Sequence, residues 1–292
     1  MVIRHFALSA FIGGFAFAVQ AQDLLKDSPA SDWREIDPEN TLYLELPAGR
    51  VVIELAPHYA PANAAAVKKL VRDKYFDAGA FVIRSQDNYV VQWARPETDE
   101  RAKAMASVKL VPEFTAKMDP KLPFTRLDYP DTYAPEVGFS NGFPAARDPK
   151  RKLTWLTHCY GSVGVGRDEA ADSGNGAELY AVIGQSPRGL DRNITVVGRV
   201  VRGIEIFSVI PRGSGAMGFY EKPEQYVPIK STRVAADVPA AERTELEVLR
   251  TDTPTFEALV ESRRNRREEW FLRPAGHIEV CNVALPVRDR AR

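Results

Sequence analysis

Few residues in this chain have types and spacing suited to chemistry, and most of the familiar arrangements fail on inspection. His158 stands next to Cys159, the only adjacent pair of a base and a thiol. Neighbours along an extended strand point to opposite faces, so the two do not read as a nucleophile and its base. Gly161-Ser162 and Gly213-Ser214-Gly215 fall short of Gly-x-Ser-x-Gly, the strained turn that presents a hydrolase serine. Gly164-Val-Gly166 lacks the third glycine of a dinucleotide loop, and no glycine-lysine phosphate loop occurs. The four histidines are scattered without metal-ligand spacing. Asp168, Glu169, Asp172, Asn175 and Glu178 form an acidic, glycine-containing loop. The regular spacing of a calcium-binding EF-hand is absent from it, so a solvated loop is the plainer reading and no metal is expected. What remains is a cation, Arg84, with Tyr89 five positions on, Val90 six and Gln92 eight. Taken alone, Arg84 reads more readily as the partner of an acid on a barrel rim. Tyr89, Val90 and Leu190 read as core, and Gln92 as a polar strand end.

The elements that must position these residues are mostly strands. Leu42, Leu44 and Leu46 alternate with Tyr43 and Glu45, which predicts a half-buried strand. Pro47-Ala48-Gly49 turns the chain into a second strand over Arg50–Leu55, giving a hairpin. Pro61 opens a helix whose inner face is Ala65, Val67, Leu70 and Val71. Short strands follow over Phe81–Arg84 and Tyr89–Trp93, then over Ser162–Val165, Leu179–Ile183, Thr195–Val197, Arg199–Val201 and Ile229–Val234. Residues 22–40 are polar and read as an arm. Seven prolines between Pro112 and Pro149 make residues 94–157 read as a long loop excursion. After Ala236 a helix is expected from Thr255, with Thr253 or Thr255 as its cap. A last strand is expected within Gly276–Val283.

Composition narrows the class. The chain has 292 residues, 45% hydrophobic and 27% charged, which excludes disordered and collagen-like chains. The 39 basic and 39 acidic residues cancel, so no net field attracts nucleic acid. The mixed-charge run Glu261–Glu269 reads as a solvated helix face. Residues 1–21 have a short basic start, an apolar run from Phe6 to Val19, and small residues at Val19 and Ala21. That is the pattern of a cleaved secretory signal, too short to span a bilayer comfortably. In an oxidising compartment Cys159 and Cys281 would be either a disulfide or two buried thiols.

Several segments, in order, resemble the cyclophilin family of peptidyl-prolyl cis-trans isomerases. Gly49-Arg-Val-Val-Ile-Glu-Leu55 followed by Ala60-Pro61-Ala-Asn63 resembles the family's opening. Tyr75-Phe-Asp-Ala-Gly79-Ala-Phe81 is similar to Tyr-Asp-Gly-x-x-Phe. Arg84, Tyr89, Val90 and Gln92 have the spacing of the family's catalytic Arg, pocket Phe, pocket Met and Gln. Gly161-Ser-Val-Gly-Val-Gly166-Arg167 is similar to Gly-x-x-x-Met-Ala-Arg, and Gly176-Ala-Glu-Leu-Tyr180 to Gly/Thr-Ser-Gln-Phe-Phe. Leu190-Asp191 with Val197-Gly198-Arg199-Val200 resembles a further family segment, and Gly203 follows as expected. The departures are one extra residue between Phe81 and Arg84, Glu178 for Gln, Tyr180 for Phe, Gly189 for Trp and Ile194 for His.

The resemblance implies a mainly β fold: a closed eight-stranded antiparallel barrel capped by two helices over 41–236, interrupted by an insertion at about 94–157. Beyond it lies a C-terminal helical extension over 237–292. It implies an isomerase that needs no cofactor, with Arg84 and Gln92 catalytic and Tyr89, Val90, Glu178, Tyr180 and Leu190 lining the substrate cleft. The partners would be proline-containing polypeptides, without nucleic acid and without stable membrane association after signal cleavage. The place of work would be the periplasm. The alternative is a catalytically weak or inactive peptide-binding module on the same fold.

Overall fold

The computed structural model describes residues 21–290. But for Ala21, the leader read over residues 1–21 lies outside the described residues, among which no helix is long and apolar enough to cross a membrane. The principal sheet has nine strands, each antiparallel to its neighbours. In spatial order they are Val227–Pro228, Phe81–Ser85, Val90–Ala94, Leu179–Val182, Ser162–Val165, Val196–Arg202, Gly49–Leu55, Thr41–Leu46 and Ser231–Val234.

This sheet curls into a half-barrel, which corrects the expected closed ring of eight. Both ends come from one stretch of chain. Ile229 N donates to Ala80 O at one end and Lys230 N to Glu45 O at the other. Val227–Pro228 is the whole of that edge strand, and Pro228 has no N–H to give to the ladder. The predicted strands over Thr195–Val197 and Arg199–Val201 are one continuous strand, Val196–Arg202.

Alternation puts Leu42, Leu44, Val51, Ile53, Val82, Val91, Trp93, Val163, Ala181 and Val197 into the half-barrel's interior. Two helices close over it. Pro61–Arg72 starts on a proline, which its fixed φ favours, and buries Ala64, Val67, Leu70 and Val71. The single-turn helix Ile204–Ser208 stacks Phe207 on Trp93, with ring centroids 5.3 Å apart.

The other face of the Thr41–Leu46 strand is not open to water. Tyr43 is only 2% exposed. It meets Ile36, Val52, Val201, Leu246 and Val248 in a separate apolar cluster, and its hydroxyl accepts from Thr244 N. The strand is therefore buried on both faces, where half-burial was expected, because the C-terminal tail lies against it. In that tail Leu246–Leu249 pairs with Trp33–Glu35 on one side and Val287–Asp289 on the other. Residues 22–40 thus include a strand as well as an arm. The helix Pro254–Arg264 forms with Thr253 as its cap, as expected. The strand expected within Gly276–Val283 is instead a short turn at Val280–Asn282, where Cys281 is tied to Cys159; the last strand falls at Val287–Asp289.

The insertion is structured too, against the expectation of a loop. It carries a capped helix, Glu100–Ala106, and a five-stranded antiparallel sheet. The strand order is Ala116–Lys117, Leu153–Leu156, Phe143–Asp148, Glu136–Ser140, Thr125–Leu127. Most of its prolines fall in connections. Leu127, Val137, Phe139 and Trp155 meet Trp33, Leu249, Phe256, Leu259 and Val280 in a second core. That core is shared by the arm, the insertion and the tail.

Candidate active site

Four neighbouring strands bring one row of residues together on the face turned away from the half-barrel's core. Arg84 pairs with Gln92, Gln92 with Tyr180, and Tyr180 with Gly164. The extra residue between Phe81 and Arg84 falls where the register slips, between Val82 and Arg84. Without that bulge, Arg84 would share the inward face of Val82. With it, Arg84 turns outward to stand beside Gln92.

Arg84 is held by three acceptors. Its Nε donates to Met217 O at 2.7 Å, Nη1 to Gln92 Oε1 at 2.9 Å and Nη2 to Gln86 Oε1. Its guanidinium carbon lies 5.5 Å from the Tyr89 ring centre and 5.1 Å from that of Phe219. A guanidinium has five N–H donors, so one proton each on Nη1 and Nη2 is left for a ligand. Partial burial pushes its pKa below the usual value, opposed by Tyr89 and Glu178; an arginine stays charged nonetheless. Gln92 is buried, and its Nε2 donates to Glu178 Oε1. Burial raises the Glu178 carboxyl, which the bond from Gln92 partly offsets.

Beside this polar row lies an apolar patch. Val90, Tyr180 and Val182 are buried together, with Tyr89 and Ile194 packed against them. Tyr180 lies over Gly164, where a Cβ would stand 2.2 Å from the ring; only glycine leaves room for it there. Of the residues expected in the cleft, Arg84, Tyr89, Val90, Gln92, Glu178 and Tyr180 are brought together. Leu190 is not part of the cluster. It ends the short turn Arg188–Leu190 and is half-buried. Gly189 beside it faces open space, with nothing within 4 Å of where a Cβ would stand. Met217 and Phe219 belong to the site without any local signal, being more than 130 residues from Arg84 in sequence. Ile194, noted as a loss, is a member of the apolar patch.

Behind Tyr180 is a buried polar chain. Its hydroxyl meets His158 Nε2 at 2.8 Å, and His158 Nδ1 meets Asp191 Oδ1 at 3.0 Å. Asp191 Oδ2 accepts from Arg188 Nε at 2.6 Å, and Arg188 in turn grips both carboxylate oxygens of Asp131 at 3.0 Å. Burial alone would raise the Asp191 carboxyl; the bonds from His158 and Arg188 outweigh it and hold it below the usual range. Cys159, one residue on, is disulfide-bonded to Cys281. His158 and Cys159 lie in a connection, not the strand assumed for them, yet their side chains do part company. The acidic loop does not converge on a point. Asp172 pairs with Lys109, Asn175 donates to the carbonyls of Met105 and Val108, and Glu178 serves Gln92.

Comparison with known proteins gives three findings. Residues 41–234 match the family model described as "Cyclophilin type peptidyl-prolyl cis-trans isomerase/CLD". A Brucella suis protein named "Probable peptidyl-prolyl cis-trans isomerase" is 27% identical over 204 residues, 65% of this chain and 82% of its own length. The crystal structure of the cyclophilin AquaCyp293 from Hirschia baltica aligns with a TM-score of 0.71 at 24% identity, over 93% of this chain and 98% of that one. At that identity the structural likeness speaks to the fold.

Proposed function

Because this chain belongs to the cyclophilin-type peptidyl-prolyl cis-trans isomerase family, we propose that its Arg84 cleft isomerises X-Pro bonds in incompletely folded, exported polypeptides. The observation that carries this reading is the row Arg84–Gln92–Tyr180, in register on adjacent strands, with an apolar patch beside a cation that keeps free donors.

The chemistry needs no covalent intermediate. Rotation about a peptide bond faces a barrier of about 18–20 kcal/mol. X-Pro bonds cross theirs unaided in tens to hundreds of seconds. The resonance of the amide must be lost, and its nitrogen then gains a lone pair. A donated hydrogen bond to that nitrogen stabilises the twisted state and adds little to the planar one, which is what lowers a barrier. Arg84 supplies the bond from its free Nη protons. Met217, Gln86 and Gln92 fix the guanidinium, so little reorganisation is needed as the bond twists. Glu178 holds Gln92 from behind. The proline ring would rest on the patch of Val90, Tyr180 and Ile194, walled by Tyr89. Export rests on the leader pattern at residues 1–21, and a periplasmic setting agrees with the disulfide.

The test is a coupled isomerisation assay on the leaderless chain beside Arg84→Ala. Acceleration by the parent, with kcat/KM reduced about a hundredfold in the variant, is the expected result. A folded parent without acceleration would instead favour the peptide-binding reading, for which the open space at Gly189 is the physical ground.

A further inference from the structure

Among the buried titratable groups that the mechanism above leaves unused, His158 bonds directly to a residue of the cleft. His158 has no exposed surface, and Asp191, Tyr180 and Arg188 around it are nearly as deep. A buried imidazole with a polar partner on each nitrogen is a specific arrangement, and its proton positions follow from the partners. Asp191 Oδ1 accepts from the His158 backbone N–H at 2.9 Å as well as from the ring. A carboxylate only accepts, so Nδ1 carries the ring proton. In the neutral ring Nε2 is then bare and accepts the Tyr180 O–H. The two rings are nearly parallel, 10° apart. Packing on Gly164, Val90, Val182 and Ile194 confines the ring to a plane, and His158 is the partner that fixes its hydroxyl within that plane.

We propose that His158 is a positioning residue of the isomerase site. Backed by Asp191, it fixes the hydroxyl of Tyr180 and thereby the angle of the ring on which the substrate proline rests. Arg188 and Asp131 anchor the far end of this chain in the insertion, so the insertion helps set the pocket floor. The proposal deepens the isomerase reading and rests on it for the identity of the ligand. Its readout is substrate affinity, because a floor that tilts alters how the proline seats and leaves the Arg84 donors in place.

The experiment compares His158→Asn in the parent and in a Tyr180→Phe background, using one alanyl-prolyl peptide. Asparagine keeps a donor near the Nδ1 position for Asp191 and is too short to place an acceptor where Nε2 meets Tyr180. In the parent background His158→Asn should raise KM about tenfold with kcat within about twofold. In the Tyr180→Phe background it should change KM less than about twofold, the non-additivity expected of two groups acting as one. The peptide Kd from an NMR titration should follow the same pattern. If the parent shows no turnover, the isomerase reading fails, while the Kd series still decides the role of His158. A folded His158→Asn with parental KM and Kd, or equal losses in both backgrounds, would overturn the proposal and leave His158 a stability residue. Should His158→Asn not fold, the parent itself decides. Saturating peptide should move the ¹⁵N resonance of His158 Nε2, and an unmoved resonance would overturn the assignment.

Discussion

Glu178 gives the site a pH dependence with a definite sign. Burial raises its carboxyl above the usual value, so it takes up a proton at a pH where exposed glutamates remain charged. Protonation weakens its hold on the Gln92 amide, and with it the alignment of Arg84. We expect kcat/KM of the parent to fall as pH drops through that raised value. Glu178→Gln keeps an acceptor oxygen and cannot titrate. It should stay within about threefold of the parent at neutral pH and lose the acid limb; a limb that persists in the variant would assign it to another group. At this scale the sequence was legible where spacing is local. Arg84, Tyr89, Val90 and Gln92 lie within nine residues of one hairpin, Tyr89 in its turn and the others on its two paired strands, so their intervals are set by hairpin geometry. Phe219, Met217 and the His158–Asp191 pair were not legible in those roles. They reach the site through tertiary packing, and an isolated phenylalanine or histidine has no pattern to distinguish it from core.

Between elements, a largely buried polar seam joins three strands. Glu54 of Gly49–Leu55 pairs with Arg34 of Trp33–Glu35 at 2.6 Å and lies 3.6 Å from Arg199 of Val196–Arg202. Burial pushes the Arg199 guanidinium down, and the neighbouring Arg34 adds to this while Glu54 opposes it. One carboxylate thus serves a buried cation and a half-buried one. Removing it should cost far more than a surface pair would: Glu54→Gln should lower the free energy of unfolding by about 3–5 kcal/mol in urea melts. A loss under about 1 kcal/mol would mean that water reaches the arginines. The hairpin, the first long helix and the capped tail helix could be read from alternation, proline placement and a threonine cap. The insertion's strands could not. Its prolines resemble those of a loop, and strands such as Glu136–Ser140 are short. Their apolar side chains also gain meaning only once the tail is known to cover them.

On the scale of the whole molecule, two bodies are built from interleaved pieces of chain. The half-barrel is made within residues 41–234, and the second core from the arm, the insertion and the tail. The Cys159–Cys281 disulfide spans 122 residues and pins the tail where these bodies meet. Closing so long a loop restricts the unfolded chain, so Cys281→Ser should lower stability by about 2–5 kcal/mol. The loss should appear as a shift of one cooperative urea transition, because the tail contributes to both the second core and the Tyr43 cluster. Early, separate melting of the tail in the variant would show instead that the half-barrel stands without it.

The half-barrel's seam at Ile229–Lys230 has a counterpart in the other sheets. Every edge strand among the described residues is two to four residues long. An unfolded polypeptide has free backbone donors and acceptors throughout, and it adds readily to any long exposed edge. A protein that handles such chains by their side chains and their X-Pro bonds must refuse them as additional strands. On the proposed function, short edges, one of them blunted by Pro228, would let clients visit the Arg84 cleft and leave again rather than polymerise along the sheet.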